Sequence, residues 1–179
     1  LAQQGKSKKA GEACKVVVGR DGRISGLMVK NIVNATLSSL GIDVIDLDFS
    51  TTPTVEMAVT FLKADGGIIL TASHNPKEWN ALKLLNHKGE FISGDEGKLI
   101  LDIAEKEAFD FVHVDKLGNI STHDQMLGEH IAAILKNKLV DKKAIANAGF
   151  KIVVDAVNST GALAVPALLK ELGVQDVIV

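Results

Sequence analysis

The chain has 179 residues, of which 46% are hydrophobic and 23% are charged, and this composition excludes a disordered, collagen-like or coiled-coil protein. The formal net charge of -2 at pH 7 leaves no excess of positive potential, so neither nucleic acid nor a membrane surface is an expected partner. The single Cys14, the lack of a recognisable secretory signal and the lack of an apolar run of roughly 20 residues predict a soluble, cytoplasmic protein.

Strand and helix patterns alternate from the start of the chain. The β-branched run Val16–Gly19 predicts a buried strand. Apolar residues spaced four, four and three apart from Val29 predict a helix, with Ser25 as its N-cap and Gly41 at its end. The period-two sequence "DVIDLDF" from Asp43 then predicts a half-buried strand.

The same order continues towards the middle of the chain. Thr52 before Pro53 predicts an N-cap and a helix that runs to about Ala64. The sequences "GGIILTA" and "ALKLLN" each predict a short strand. Alternation with short connections predicts right-handed crossovers, and therefore an α/β fold with a mixed, mainly parallel sheet sandwiched by helices.

Two capping-box patterns predict further helices. Ser93 with Glu96 predicts the start of a helix that runs to about Phe109. Thr122 with Gln125 repeats the pattern before a stretch with one apolar face. Both helices are therefore expected to begin at these residues.

From Lys151 the order of strand, polar loop, helix and strand begins again, which indicates a second domain. We expect a first domain over residues 1–148 and the start of a second α/β domain over residues 149–179. One such unit cannot enclose a core of its own, and Leu1–Gln4 has the character of a helix tail. The chain is accordingly expected to be a piece of a longer protein.

The stretch "TASHNPKEWNALK" places small polar residues at the carboxyl end of a predicted strand, where open α/β sheets bind ligands. A simple turn is one interpretation. A hydrolase triad is a poor match, because Ser73 and His74 are adjacent and Gly-x-Ser-x-Gly is absent. In a phosphoryl-transfer site, Ser73 would carry a phosphate, with Arg20, Arg23, His74 and Lys83 as candidate cations. The spacing of these residues alone does not decide between a simple turn and a phosphoserine loop.

This stretch resembles the active-site serine loop of the α-D-phosphohexomutase superfamily, which includes phosphoglucomutase/phosphomannomutase and phosphoglucosamine mutase. The resemblance rests on Thr71–Pro76, with Asn80 and Lys83 in step. The upstream "VGRDGRISG" resembles a second loop of the family. "VVDAVNSTGALAVPALLKELG" resembles the opening of the family's second domain, although Ser159 stands where many members have glycine.

The resemblance implies four domains around a central cleft and the interconversion of hexose 1-phosphates and 6-phosphates. Ser73 matches the serine that carries the phosphate in the resting enzyme. A serine hydroxyl needs a base to act as a nucleophile at neutral pH. Lys83 matches the family position for general acid/base work, and His74 matches an accessory position.

The resemblance also assigns substrate- or phosphate-binding roles to Arg20, Arg23 and Asn75. For the two arginines, pairing with Asp21 or neighbouring carboxylates is the open alternative. Mg²⁺ is the implied cofactor and a hexose 1,6-bisphosphate is the implied activator. Ser73 would bind the metal through its phosphate, whereas the family's Asp-Gly-Asp-x-Asp-Arg ligand loop has no counterpart in this sequence.

Sugar phosphates are therefore the expected partners, and the piece alone is expected to be inactive. We expect a phosphohexomutase of the glucose/mannose type, with a phosphoglucosamine mutase as the alternative. A non-catalytic phosphate-binding α/β domain is the alternative from another class, although no Gly-x-Gly-x-x-Gly or Walker pattern supports it. The preferred sugar and the oligomeric state stay open.

Overall fold

The computed structural model describes residues 13–179, so the predicted helix tail at Leu1–Gln4 lies outside the described residues. The strands, in chain order, are β1 (Lys15–Arg20), β2 (Asp43–Phe49), β3 (Gly66–Leu70), β4 (Leu82–Leu85), β5 (Ile120–Thr122), β6 (Lys151–Val153) and β7 (Asp176–Ile178). The α-helices are α1 (Gly26–Ser39), α2 (Thr52–Phe61), α3 (Gly94–Glu105), α4 (Met126–Leu135), α5 (Lys142–Asn147) and α6 (Gly161–Glu171), with a 3₁₀ turn at Val114–Lys116.

Five strands form one sheet in the order β4-β3-β1-β2-β5. β1 pairs in parallel with β2 and with β3, and β2 pairs in parallel with β5. β4 alone in this sheet runs antiparallel, beside β3. A separate parallel pair joins β6 to β7. The predicted α/β fold with a mixed, mainly parallel sheet is therefore confirmed.

The two faces of the sheet carry separate hydrophobic cores, because successive residues of a strand point to opposite faces. Val16 and Val18 of β1 face the core that is covered by α1. Val17 faces the other core, which is covered by α2. The first core is completed by Val44, Ile68 and Leu70 with Val29, Val33 and Leu37. The second is completed by Leu47, Ile69 and Leu85 with Val55, Ala58, Val59 and Met126. The sheet is therefore sandwiched by helices, as predicted.

Of the two predicted N-caps, Thr52 was wrong and Ser25 was right in position only. The cap of α2 is Thr51, one residue earlier than predicted, and its side chain accepts a hydrogen bond from the Thr54 amide. Ser25 precedes α1 but makes no side-chain cap, because its hydroxyl accepts a hydrogen bond from the Asn80 side chain at 3.0 Å. Gly41 does follow α1 in the left-handed conformation, with φ of 74°, as the C-terminal signal predicted.

The two predicted capping boxes had different outcomes. Ser93 and Glu96 form a complete box at the start of α3, although the helix ends at Glu105 and not near Phe109. Thr122 instead ends strand β5, and α4 begins after Gln125 without a side-chain cap. β5 has only three residues, all exposed, so the sequence has no apolar pattern that predicts this strand.

A partly buried network of charges links β1, β2 and α1. Lys30 Nζ lies 2.8 Å from Asp46 Oδ2 and 3.1 Å from Asp48 Oδ1, and Arg20 Nε lies 2.7 Å from the same Asp48 oxygen. Asn34 donates to Asp46 Oδ2 at 3.2 Å. Both carboxylates thus have partners within the fold. A register shift opposite Val18 and Gly19 accompanies this network.

Opposing effects act on the charged groups of this network. Burial alone lowers the pKa of Lys30, but hydrogen bonds and attraction from Asp46 and Asp48 outweigh it and raise the pKa above its ordinary value. Burial likewise raises the pKa of Asp48, but hydrogen bonds and charge from Lys30 and Arg20 leave it below its ordinary value. Both groups therefore stay charged near neutral pH.

Replacing Lys30 should destabilise the fold, because the buried carboxylate of Asp46 would keep only two neutral donors, the Asn34 side chain and the Asp48 amide. For Lys30→Met we expect a loss of about 3 kcal/mol in the free energy of unfolding, measured by urea denaturation. Lys98→Met removes an exposed lysine from helix α3 and should change it by less than about 0.5 kcal/mol. Equal effects of the two substitutions would contradict a stabilising network.

His130 should make stability depend on pH. Its Nδ1 atom lies 3.1 Å from Thr54 Oγ1, and burial lowers the pKa of His130 below 6.5. As the pH falls through about 6.5, the unfolded chain binds the proton first, so the folded state loses relative stability. Between about pH 7.5 and about pH 5.5, urea denaturation of His130→Gln should show a smaller loss than the wild type. Parallel losses would contradict this assignment.

Among residues 13–179, none of the helices combines the length and the apolar content that a bilayer span requires.

Candidate functional site at the carboxyl edge of the sheet

Two loops leave the same edge of the sheet, because β1 and β3 are parallel neighbours. The loop after β1 begins at Asp21, whose amide donates to the Leu70 carbonyl at 3.0 Å. The loop after β3 is closed at its base by the Thr71 amide, which donates to the Ala81 carbonyl at 3.1 Å. The two motifs that the sequence analysis singled out therefore lie side by side.

Ser73 lies on the exposed part of the second loop and has an unusual backbone conformation. Its φ angle is 52°, in the left-handed region that non-glycine residues seldom occupy. Its amide donates to Thr71 Oγ1 at 3.3 Å, and the Asn75 amide donates to the Ala72 carbonyl at 3.0 Å. Strained conformations of this kind concentrate at functional sites.

Arg23 belongs to the loop after β1, but its guanidinium contacts the loop after β3. One terminal nitrogen, Nη1, donates to the carbonyls of Pro76 and Trp79, each at 2.8 Å. The other, Nη2, donates to the carbonyls of Ser73 and Asn75, also at 2.8 Å. The guanidinium thus contacts four main-chain oxygens of a single loop.

A third segment, from the part of the chain after β6, completes a cleft of about 430 Å³. The Gly22 amide donates to Ser159 Oγ at 3.0 Å and so joins this segment to the loop after β1. Val157 and Asn158 both have left-handed φ angles, of 46° and 55°. The lining residues are Asp21, Gly22, Arg23, Ile24, Ser73, His74, Asn75, Lys77, Val157, Asn158 and Ser159.

Four of the six predicted site residues line this cleft, namely Ser73, His74, Asn75 and Arg23, and two do not. Arg20 is buried, with Nε on Asp48 and its guanidinium 3.8 Å from the centroid of the Phe49 ring. Lys83 lies on β4, with Nζ 5.8 Å from the centroid of the Phe91 ring. The roles predicted for all six residues stay predictions.

No site role was predicted for four polar residues of the cleft, namely Asp21, Lys77, Asn158 and Ser159. Lys77 directly follows Pro76 in the serine motif, so its position in the motif was a usable signal. Ser159 follows β6, and the rule that ligands bind at the carboxyl ends of parallel strands applies there as well as to β1 and β3. The second predicted strand–helix unit therefore contributes to the same cleft as the first.

The described residues do not form a metal site on their own. Among residues 13–179, no group of three or more His, Cys, Asp or Glu side chains could hold a metal ion. Magnesium prefers several oxygen ligands, and a phosphate on Ser73 would supply oxygens from only one residue. The predicted Mg²⁺ requirement therefore stays a prediction.

Comparison with known proteins identifies the family. The family model described as phosphoglucomutase/phosphomannomutase, alpha/beta/alpha domain I, matches residues 2–111. This match takes in β1 to β4 and both loops that carry the serine and arginine motifs. The chain belongs to the phosphoglucomutase/phosphomannomutase family, as the resemblance predicted.

Individual relatives agree with this assignment. A phosphoglucomutase/phosphomannomutase of Thermococcus kodakarensis is 39% identical over 92% of this chain and 35% of its own length. A phosphoglucosamine/phosphogalactosamine mutase of Sulfurisphaera tokodaii is 34% identical over 91% of this chain and 36% of its own. The crystal structure of a phosphoglucomutase/phosphomannomutase family protein from Burkholderia thailandensis is 27% identical, with a TM-score of 0.75, over 92% of this chain and 35% of that one. The chain thus spans about a third of the length of these relatives.

Gly22 should be intolerant of a side chain, because the loop after β6 lies against it. A Cβ atom at Gly22 would lie 2.9 Å from the Asn158 carbonyl oxygen and 3.0 Å from Ser159 Cα. For Gly22→Ala we expect a loss of about 2 kcal/mol in the free energy of unfolding, measured by urea denaturation.

The control for Gly22 is Gly94→Ala. A Cβ atom at Gly94, the first residue of α3, would meet no other atom within 4 Å. This substitution should be neutral or slightly stabilising, since alanine favours a helix over glycine. A Gly22→Ala protein as stable as the Gly94→Ala protein would contradict the contact with residues 158 and 159.

Proposed function

We propose that this chain is the phosphoserine-bearing part of a phosphohexomutase that interconverts hexose 1-phosphate and hexose 6-phosphate. The observation that carries the proposal is the position of Ser73, exposed in a cleft at the carboxyl edge of the sheet with a left-handed backbone. The names of the mutase relatives support the same reaction class.

In the first half of the proposed reaction, a sugar hydroxyl attacks the phosphorus of phosphorylated Ser73. The bond between phosphorus and Ser73 Oγ breaks, the sugar hydroxyl gives its proton to a base, and Oγ takes a proton from an acid. The product is a bisphosphorylated sugar and a free serine. In the second half, Ser73 Oγ attacks the other phosphate of that sugar and loses its proton to a base.

The proton transfers and the negative charge set the roles of the neighbouring residues. We assign the acid/base role to Lys83, with His74 as an accessory, on the basis of their positions in the serine motif. His74 and Lys77 line the cleft and are the side chains best placed to offset phosphate charge there. Asn75, in the same loop, is proposed to bind the substrate, and a phosphate-binding role is retained for Arg20 as a proposal.

Two small molecules belong to the proposal for the whole enzyme. A hexose 1,6-bisphosphate would act as activator by donating the phosphate that Ser73 carries. Mg²⁺ would offset the charge of the transferring phosphoryl group. The described residues give the metal no ligand set of their own.

The substrate is proposed to be a glucose or mannose phosphate. The support is the relative from Thermococcus kodakarensis, which is named a phosphoglucomutase/phosphomannomutase and has 39% identity. A phosphoglucosamine mutase is the second candidate, because the Sulfurisphaera tokodaii relative, which is named for amino sugars, reaches 34%. Turnover of glucose 1-phosphate and glucosamine 1-phosphate by the whole protein would separate the two.

Ser73 should be the residue that accepts the phosphate. After incubation of the whole protein with glucose 1,6-bisphosphate, intact-mass spectrometry should show the gain of one phosphoryl group. Ser73→Ala should abolish this gain, because no other side chain replaces the lost hydroxyl at that point of the cleft. Ser39→Ala removes a serine at the end of α1 and should leave the gain intact. A wild-type protein that gains no phosphate would instead favour a non-catalytic phosphate-binding domain.

A further inference from the structure

We infer that Arg23 is a positioning residue that holds the loop of residues 73–79 in the conformation that presents Ser73. The inference rests on the proposed function, because it gives the reaction of Ser73 a further residue on which its rate depends. It replaces the phosphate-binding role that the sequence analysis predicted for Arg23.

The four terminal donors of Arg23 are used by the protein, and its Nε atom is buried. A guanidinium has four N–H groups on its two terminal nitrogens and a fifth on Nε. The four terminal N–H groups match the four carbonyl oxygens at 2.8 Å. Nε is buried and faces Asp21 Oδ2 at 3.4 Å. A phosphate could bind to this side chain only after some of these contacts broke.

The contacts of Arg23 bear directly on the conformation of Ser73. One of the four acceptors is the carbonyl of Ser73 itself, so the bond fixes the orientation of the peptide group that follows the serine. The serine has a φ angle of 52°, which its own side chain disfavours. Such a conformation persists only where surrounding contacts determine it. The bonds from Arg23 to residues on both sides of the turn are contacts of this kind.

Asp21 holds Arg23 in place from the other side. Its Oδ1 atom accepts a hydrogen bond from the Arg23 amide at 2.9 Å, and its Oδ2 atom faces Nε. The Asp21 amide in turn donates to the Leu70 carbonyl at the end of β3. Only 11% of the Arg23 side chain is exposed. The guanidinium is therefore fixed relative to the same strand from which the serine loop leaves.

The test compares Arg23→Lys with Arg23→Gln in the whole protein. The rate of phosphate gain on Ser73 would be followed by rapid quenching and intact-mass spectrometry over a range of glucose 1,6-bisphosphate concentrations. We expect both variants to be roughly 100-fold slower at saturation, because misplacement of a reacting group by about 1 Å costs that much. The half-saturating concentration should differ by less than about twofold between the two variants, because both lose the planar fork.

The lysine variant separates positioning from phosphate binding. An ammonium keeps the positive charge but has three donors and no planar fork, so it cannot meet four carbonyls. If Arg23 bound phosphate through its charge, Arg23→Lys would retain most of the rate and Arg23→Gln would raise the half-saturating concentration. That result would overturn the inference. Lys88→Gln, at an exposed lysine after β4, serves as the control and should behave as wild type.

Hydrogen exchange tests the same inference without catalysis. The amides of Ser73, Asn75 and Trp79 form hydrogen bonds within the loop, so their exchange reports its order. Arg23→Lys should speed exchange in peptides covering residues 73–79 and leave β1 and β3 unchanged, and Asp21→Asn should do so to a smaller extent. Unchanged exchange in both variants would overturn the inference. If the wild-type protein takes up no phosphate but the two variants show this exchange pattern, only the proposed function is refuted.

Discussion

The parallel pairing of β1 with β3 is the constraint on which the position of the whole site depends. Because the two strands point the same way, the loop with Arg23 and the loop with Ser73 leave the sheet together. Antiparallel β4 then returns beside β3, with Lys83 opposite Ile69. An antiparallel β1 would have carried Arg23 to the opposite end of the sheet, out of reach of every carbonyl it contacts.

The charged residues at this edge of the sheet form two groups, one below the cleft and one in it. Below the cleft, Arg20 and Lys30 are paired with Asp48 and Asp46, so their charges are balanced within the fold. In the cleft, the charge of Arg23 is offset in part by Asp21 and is otherwise directed at main-chain oxygens. The positive potential available to an anionic ligand there comes from other groups, among which Lys77 and His74 are exposed.

Much of the fold could be predicted because it depends on local patterns. The β-branched run from Val16 and the period-two alternation from Asp43 identified two of the central strands, since buried strands need those residue types. Strand β5 could not be predicted, because its three residues are exposed and its pairing depends on the open edge of β2. The same limit applies to Ser25. Serine is a favoured N-cap residue, but the Ser25 hydroxyl accepts a hydrogen bond from the Asn80 side chain, which lies in a distant loop.

The main residues of the site could be predicted from the sequence, but the contacts between them could not. The serine motif and the arginine motif were both visible, and the sequence left Arg23 open between phosphate binding and pairing with Asp21, the pair that the structure contains. Nothing in the spacing shows that a loop fifty residues later encloses that guanidinium, since this depends on the tertiary pairing of strands. The share of the cleft contributed by Ser159 was likewise hidden, because the contact with Gly22 spans most of the chain.

Arg23 contacts only the main chain of the serine loop, and this has a consequence for how the loop can change. Every residue offers a carbonyl oxygen, so the contacts do not depend on which side chains stand at positions 75, 77 and 78. Lys77 and Glu78 are exposed, and Lys77 lines the cleft. The architecture therefore separates the part of the loop that fixes the serine from the part that meets a ligand, so the chemistry of the ligand-facing surface can be redesigned while the serine keeps its place.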